Sequence, residues 1–407
     1  MPEAVIVATA RSPIGRAFKG SLKDLRADDL TAQIITAALA KVPQLDPRDI
    51  DDLLLGCGLP GGEQGNNLAR VIAVQLGWDT VPGATLTRYC SSSLQTTRMA
   101  YHAIKAGEGD VFVSAGVEMV SRFTKGNSDS LPDTKNPAFA PAEERTARRA
   151  EGGADTWHDP REDGELPDVY IAMGQTAENV AQIRGISRQR QDEFGVRSQN
   201  RAEKAIENGF WSREITPVTL PDGTVVDSDD GPRPGTSYEK VSQLQPVFRP
   251  DGTVTAGNCC PLNDGAAAVV IMSDAKAAQL GLTPIARIVS TGVSALSPEI
   301  MGLGPVEASR QALGRANMTI SDIDLVEINE AFAAQVLPSA DDLGIDIENQ
   351  LNVNGGAIAV GHPFGMTGAR ITGTLLNGLQ FHDKTFGLET MCVGGGQGMA
   401  AVFERLS

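Results

Sequence analysis

Short unbroken apolar runs alternate along this chain with longer segments in which apolar residues recur every three or four positions. The first pattern is that of a buried strand, the second that of one buried helix face. Residues 5–8 (Val-Ile-Val-Ala) are read as a strand, and 27–42 as a helix stopped by Pro43 and the Asp46-Pro47 turn. Strands at 53–55, 83–87 and 111–115 then alternate with helices at 67–76 and 91–105. That order predicts an α/β unit with a largely parallel sheet.

From about residue 121 to 250 the texture changes to charged and Pro/Gly-rich stretches, such as 141–149, 155–165 and 227–235. A loop-rich excursion is expected there, carrying helices at 176–183 and 188–207. A compact strand at 266–272 then restores the first pattern. Over a longer range, Ile50-Asp51-Asp52-Leu53-Leu54 resembles Ile323-Asp324-Leu325-Val326-Glu327, an offset of 273 residues. Near that offset the helix-opening turn at Cys90 meets the one at His362, and Ser114-Ala115-Gly116 meets Gly394–Gly396. The chain thus reads as two duplicated α/β halves facing one cleft. The boundaries expected are 1–120 with 251–274 for the first half, 121–250 for the insertion and 275–407 for the second half.

A length of 407 residues exceeds what one ordinary core supports, in keeping with that division. Thirty-five basic against fifty-one acidic residues leave a net charge of −16, a field that repels nucleic acid and anionic lipid. No apolar run has the length of a membrane span. Five cysteines, an odd set with no CxxC spacing, suit a reducing compartment. Met1-Pro2-Glu3-Ala4 has no basic n-region, so a cytoplasmic, unprocessed chain is expected.

Cys90 lies in Arg88-Tyr89-Cys90-Ser91-Ser92-Ser93-Leu94, between a predicted strand end and a helix start. There the helix dipole and unpaired backbone N–H groups favour the nucleophilic thiolate. A cysteine buried as a small hydrophobe fits the same residues. His362 is one of four histidines, with His102, His158 and His382, and stands among five glycines between Gly355 and Gly368. Pro363 pins the residue after it, a rigidity that suits a working imidazole, although a turn-capping histidine is also compatible. Cys392 precedes Val393-Gly394-Gly395-Gly396-Gln397-Gly398, whose backbone N–H groups can form an oxyanion hole. The GGGxG spacing of that run is a weak dinucleotide fingerprint. Asn329, in Asn329-Glu330-Ala331-Phe332-Ala333, reads either as a helix N-cap or as an amide placed beside a reacting carbonyl. Adjacent Cys259 and Cys260 lack the spacing of a closed zinc site, and no metal is expected.

Together these segments resemble the thiolase family over essentially the whole chain. Tyr89–Gln95 is similar to the family's nucleophile motif, with Ser93 where glycine is usual. Met173-Gly174-Gln175-Thr176-Ala177-Glu178-Asn179-Val180 resembles its loop-domain signature. Thr255–Asn258 with Asn263–Ala267, Asn329–Phe332, Gly361–Gly365 and Cys392–Gly398 resemble four further motifs, in order.

The resemblance implies a five-layered α/β/α/β/α pair of domains with an inserted loop domain, usually assembled as a tetramer. It implies reversible thiolysis of a 3-ketoacyl-CoA to acetyl-CoA and a shortened acyl-CoA, as in fatty-acid β-oxidation, with CoA as substrate and no cofactor. By position, Cys90 would be the acylated nucleophile, His362 its activating base and Cys392 the acid/base at C2 of acetyl-CoA. Asn329 would hold a water that, with His362, stabilises the enolate oxygen. The amides of Cys90 and Gly394 would receive the acyl-enzyme oxyanion. Arg233 would meet the nucleotide, and Cys260 stands where a serine usually touches the pantetheine arm. Met173, Met301 and Phe332 would line the acyl pocket, where Ala172 leaves room for medium or longer chains. The alternatives are a short-chain acetoacetyl-CoA thiolase used for condensation, a decarboxylating synthase and a non-catalytic scaffold. Cys392 argues against the synthase, since related condensing enzymes place other residues there.

Overall fold

The computed structural model describes residues 2–126, 133–153 and 155–407. Its first half runs β1 (Ala4–Arg11), α1 (Ala27–Ala40), β2 (Asp52–Cys57), α2 (Leu68–Gln75), β3 (Gly83–Leu86), α3 (Ser92–Ala106) and β4 (Val111–Met119). After an excursion holding α4 (Met173–Arg184) and α5 (Arg188–Glu207), β5 (Asn263–Ser273) returns to the sheet. The second half runs β6 (Ala286–Ala295), α6 (Gly304–Ala316), β7 (Leu325–Ile328), α7 (Ala333–Leu343), α8 (Thr367–Phe381), β8 (Phe386–Val393) and β9 (Gln397–Arg405). Strands β1 and β4 outrun their apolar cores because pairing with β5 continues through Arg11 and Glu118.

These nine strands lie in one ten-stranded sheet in the order β7-β8-β9-β6-β1-β5-β4-β2-β3, the tenth being a two-residue strand at Gly15–Arg16 that pairs with β5. Its two halves repeat one topology. In the first, β2 pairs in parallel with β3 and β4, β4 antiparallel with β5, and β5 antiparallel with β1. In the second, β7 pairs in parallel with β8 and with a bridge at Leu351, β8 antiparallel with β9, and β9 antiparallel with β6. The halves meet where Val5 and Ile6 of β1 pair with Arg287 and Ala286 of β6. The sheet is therefore mixed rather than largely parallel: β5 re-enters between β1 and β4, and β8 and β9 form a hairpin, so most ladders are antiparallel. Strand β4 matches β8, so the counterpart of Ser114-Ala115-Gly116 lies within β8, and the Gly394 run is the turn beyond it.

Three apolar layers separate the elements. Strands β1, β2, β4 and β5 bury one face against α1 and α2 through Leu30, Ile34, Leu68 and Ile72. Their other faces, with those of β6, β8 and β9, enclose α3 and α8 through Leu94, Ile104, Ile371 and Leu375. Helices α6 and α7 cover the remaining face through Val306, Ala312, Val336 and Leu337. This is the five-layered α/β/α/β/α arrangement, with α3 and α8 central. A Cβ on Gly368 would lie 2.2 Å from the Leu94 nitrogen, so the two central helices cross with backbones in contact. Among the described residues, no helix is long and apolar enough to cross a membrane.

Candidate active site

Cys90 sits in the 3₁₀ turn Tyr89–Ser91 that feeds α3. Tyr89 has φ +44°, a left-handed conformation costly for a bulky residue. Ser92 holds the turn: its hydroxyl accepts from Arg88 N at 2.9 Å and donates to the Tyr89 carbonyl at 2.7 Å. The thiol is buried, and burial pushes its pKa up to about 11, against the pull of the Gly394 amide and its own amide. The thiolate expected from the helix start is therefore not the resting form, because desolvation outweighs two amide dipoles.

Gly394 follows β8, and a Cβ there would approach the Tyr89 ring at 3.2 Å. Gly395 and Gly396, at φ +75° and +79°, turn the chain into β9. Arg88 fastens this loop to the Cys90 turn by donating to Gln397 Oε1 at 2.7 Å, while Gln397 Nε2 donates to the Gly394 carbonyl at 3.2 Å. Cys392 lies near the end of β8, fully buried, its thiol pushed well up by burial and then by Cys90. Cys260 is pushed well up by burial and by the neighbouring Cys259, Cys90 and Cys392.

Of the four histidines only His362 is buried. Its backbone N donates to Asn263 Oδ1 at 2.9 Å, and its Nδ1 lies 2.6 Å from Thr367 Oγ1. Burial, then the charge of Arg370, lowers its pKa to about 3. Gly361, at φ +111°, lets the chain pass where a Cβ would meet Asn263 and Ile14 at 2.7 Å. Asn329 Nδ2 stands 3.3 Å from His362 Nε2. Asn329 is not an N-cap: α7 begins at Ala333 with Phe332 as its cap, and Asn329 N donates to Thr390 O at 3.1 Å beside β8.

The segment before β5 runs along this site, with Cys260 N on the Ala331 carbonyl at 3.0 Å and Cys259 bridged to Phe332. It walls a cavity of about 570 Å³ that Arg16, Arg233, Lys240, Phe248 and Cys260 help to line. Behind it, Met173, Met301, Phe332 and Cys392 share an apolar cluster with Phe248 and Cys259. The Phe248 and Phe332 rings meet edge-on at 6.1 Å. The structure thus gathers Cys90, Gly394, Cys392 and Cys260, pairs Asn329 with His362, and sets Arg233 on the cavity wall with Cys260.

Residues 4–275 match the thiolase N-terminal domain and residues 282–405 the thiolase C-terminal domain. The chain belongs to the thiolase family. As a thiolase it is 43% identical over 412 residues to the 3-ketoacyl-CoA thiolase of Saccharophagus degradans, covering 99% of this chain and 98% of that one. It is 42% identical over 417 residues to the 3-ketoacyl-CoA thiolase of Bacillus subtilis, covering 99% and 100%. Its fold superposes on the Bacillus anthracis acetyl-CoA acetyltransferase with a TM-score of 0.86 at 38% identity, covering 100% of this chain and 99% of that one. The dimeric peroxisomal thiolase of Saccharomyces cerevisiae gives 0.88 at 36% identity, covering 99% and 98%.

Several site residues of this thiolase escaped the sequence reading. Arg16 and Lys240 add positive charge to the cavity, although neither sits in a distinctive motif. Glu118, buried at the end of β4, accepts N–H groups from Gly58 at 2.7 Å, Leu59 at 3.2 Å, Gly365 at 2.8 Å and Gln64 Nε2 at 3.2 Å. It thereby ties the loop after His362 to the first half. Burial pushes its pKa up to about 7 against the pull of those donors. A lone acid inside the apolar run Val111–Met119 was the available signal.

Proposed function

We propose that this thiolase catalyses the reversible CoA-dependent cleavage of 3-ketoacyl-CoA to acetyl-CoA and an acyl-CoA shortened by two carbons, with CoA as a substrate and no cofactor. The observation that carries the reading is the Cys90 sulfur, held at the Gly394 amide and its own amide with Cys392 beside it. In this mechanism the Cys90 sulfur attacks the C3 ketone while His362 Nε2 accepts the thiol proton. The C2–C3 bond then breaks and expels the enolate of acetyl-CoA, its oxygen stabilised by His362 and by a water held on Asn329. Cys392 delivers a proton to C2, and the amides of Cys90 and Gly394 hold the acyl-enzyme carbonyl. The CoA thiol then gives its proton to the Cys392 thiolate and its sulfur attacks the acyl-enzyme carbonyl, releasing the shortened acyl-CoA, while His362 returns its proton to the departing Cys90 sulfur.

Arg233, Arg16 and Lys240 supply local positive charge for the CoA phosphates in a chain of net charge −16. Ala172, the residue before α4, supports medium or longer acyl chains, the range of fatty-acid β-oxidation in the cytoplasm. Purified protein given 3-ketoacyl-CoAs from C4 to C16 with CoA should form acyl-CoA and acetyl-CoA without NAD, ATP or metal, fastest above C4. Loss of activity with chelator would sink the cofactor-free reading, and a sharp C4 optimum the roomy pocket. We further propose a tetramer, in keeping with the half-exposed edge strand β3 and with Val71 and Val74 open on α2. Light scattering should give about four chains, and a monodisperse monomer would contradict it.

A further inference from the structure

We propose that Thr367 is the positioning residue that sets the tautomer of His362, keeping the ring proton on Nδ1 and the Nε2 lone pair turned toward Asn329 and the reacting groups. Thr367 opens α8, is fully buried and lies one turn beyond the histidine. Its hydroxyl has one proton and two acceptors within reach, the Pro363 carbonyl at 2.7 Å and His362 Nδ1 at 2.6 Å. If the proton goes to Pro363, the hydroxyl oxygen faces Nδ1 as an acceptor and Nδ1 must carry hydrogen. Nε2 is then a bare lone pair, and the Asn329 amide donates to it at 3.3 Å. In this chain of contacts the Pro363 carbonyl, the Thr367 hydroxyl, both ring nitrogens and Asn329 Nδ2 have complementary partners, and Asn329 Oδ1 alone has none.

The opposite assignment fails at a buried group. If the Thr367 proton goes to Nδ1, the ring carries its hydrogen on Nε2, and Asn329 Nδ2 faces it donor to donor. Turning the Asn329 amide over would relieve that clash by presenting Oδ1. The Pro363 carbonyl would still lose the hydroxyl that serves it, an unfavourable outcome inside a protein. The Nδ1–H tautomer with Asn329 Nδ2 facing the ring is therefore the one arrangement that serves the Pro363 carbonyl and both ring nitrogens. Burial, and after it the charge of the fully buried Arg370 on α8, disfavours a second ring proton, so the resting ring stays neutral.

The tautomer follows from the hydrogen bonds alone; its use as a base rests on the thiolase mechanism above. With four histidines in the chain, histidine-labelled protein gives a tractable ¹⁵N spectrum. In the wild type, His362 should show a protonated Nδ1 and an unprotonated Nε2, and Thr367→Ser should preserve that pattern. Thr367→Val should move the proton, wholly or partly, to Nε2. It should slow acetyl transfer from acetyl-CoA to Cys90 by roughly 10²-fold or more, as misplacing a base's proton does, with KM changed less than about twofold. A wild-type spectrum with hydrogen on Nε2 would overturn the proposal, as would a folded Thr367→Val protein with unchanged tautomer and rate. Should the valine variant fail to fold, the wild-type and serine spectra decide. A wild type that lacks thiolysis but shows Nδ1–H would refute the activity and leave the tautomer assignment standing.

Discussion

The Ser93 hydroxyl on α3 accepts the backbone N–H of Ala369 on α8 at 2.8 Å. That N–H belongs to the first turn of α8, where helix geometry supplies no partner. A residue three positions after the nucleophile thus caps the helix that follows the histidine, joining the two halves at their closest crossing. It also gives a purpose to the serine that stands where thiolases usually have glycine. Ser93→Ala should lower unfolding free energy by about 1–3 kcal/mol, the cost of an unpaired buried donor. Ser93→Gly should cost about 1 kcal/mol more through helix propensity. Urea denaturation checks both, and an unchanged midpoint for Ser93→Ala would contradict the capping role.

The two site cysteines are expected to separate by function. Cys90→Ala should abolish thiolysis, condensation and acyl exchange, because each passes through the covalent intermediate. Cys392→Ala should slow carbon–carbon cleavage by roughly 10²–10⁴-fold, the size of a general acid–base contribution, and still accept acetyl from acetyl-CoA. Intact-protein mass measurement should show the acetyl adduct on Cys392→Ala and none on Cys90→Ala; the reverse pattern would exchange the roles.

Burial sets the acid–base state of the free enzyme. With Cys90 held near 11 and His362 near 3, both side chains are neutral across the working range. Below its pKa, the thiolate fraction rises about tenfold per pH unit. Alkylation of Cys90 by iodoacetamide, followed on its peptide, should climb at that slope between about pH 6 and 9. An inflection in the ordinary histidine range would instead reveal a thiolate–imidazolium pair.

Glu118 is expected to matter through the backbone groups it holds on both sides of the site. Glu118→Gln keeps the shape but turns an NH₂ toward backbone donors that now meet oxygen, leaving N–H groups of Gly58, Leu59 or Gly365 unpaired. A loss of about 2–4 kcal/mol in stability is expected, together with a lower kcat as the loop after His362 loosens. Urea melts and steady-state kinetics test the two effects, and an unperturbed loop would leave both unchanged.

The sequence exposed the alternating elements because each buried strand is an apolar run; it exposed His362 and Cys392 through their glycine-rich flanks and Cys90 through its place between a strand end and a helix start. It also showed the duplication, since Ile50 to Leu54 and Ile323 to Glu327 lead into the matched strands β2 and β7. Strand direction was not legible, because β5 finds its place beside β1 across an excursion that no local pattern constrains. Nor was the resting state of Cys90. A helix start is visible in sequence, whereas the burial that overrides its dipole depends on the whole fold. The contacts of Ser93, Glu118 and Thr367 span distant segments or use ordinary polar residues, and only packing gives them their partners.

Among the described residues, β1 pairs with β5 and β6 and with no other strand of the sheet. On the ribosome this means that the first strand made waits for Asn263–Ser273 before either edge is satisfied. At about 5–20 residues per second, that delay is roughly 13–50 s. Throughout it a Val-Ile-Val-Ala segment has no ladder partner, the condition under which strands recruit other chains. Nascent chains that stall before Asn263 should therefore be prone to aggregate, and holdase chaperones acting early in synthesis should raise the yield of folded enzyme.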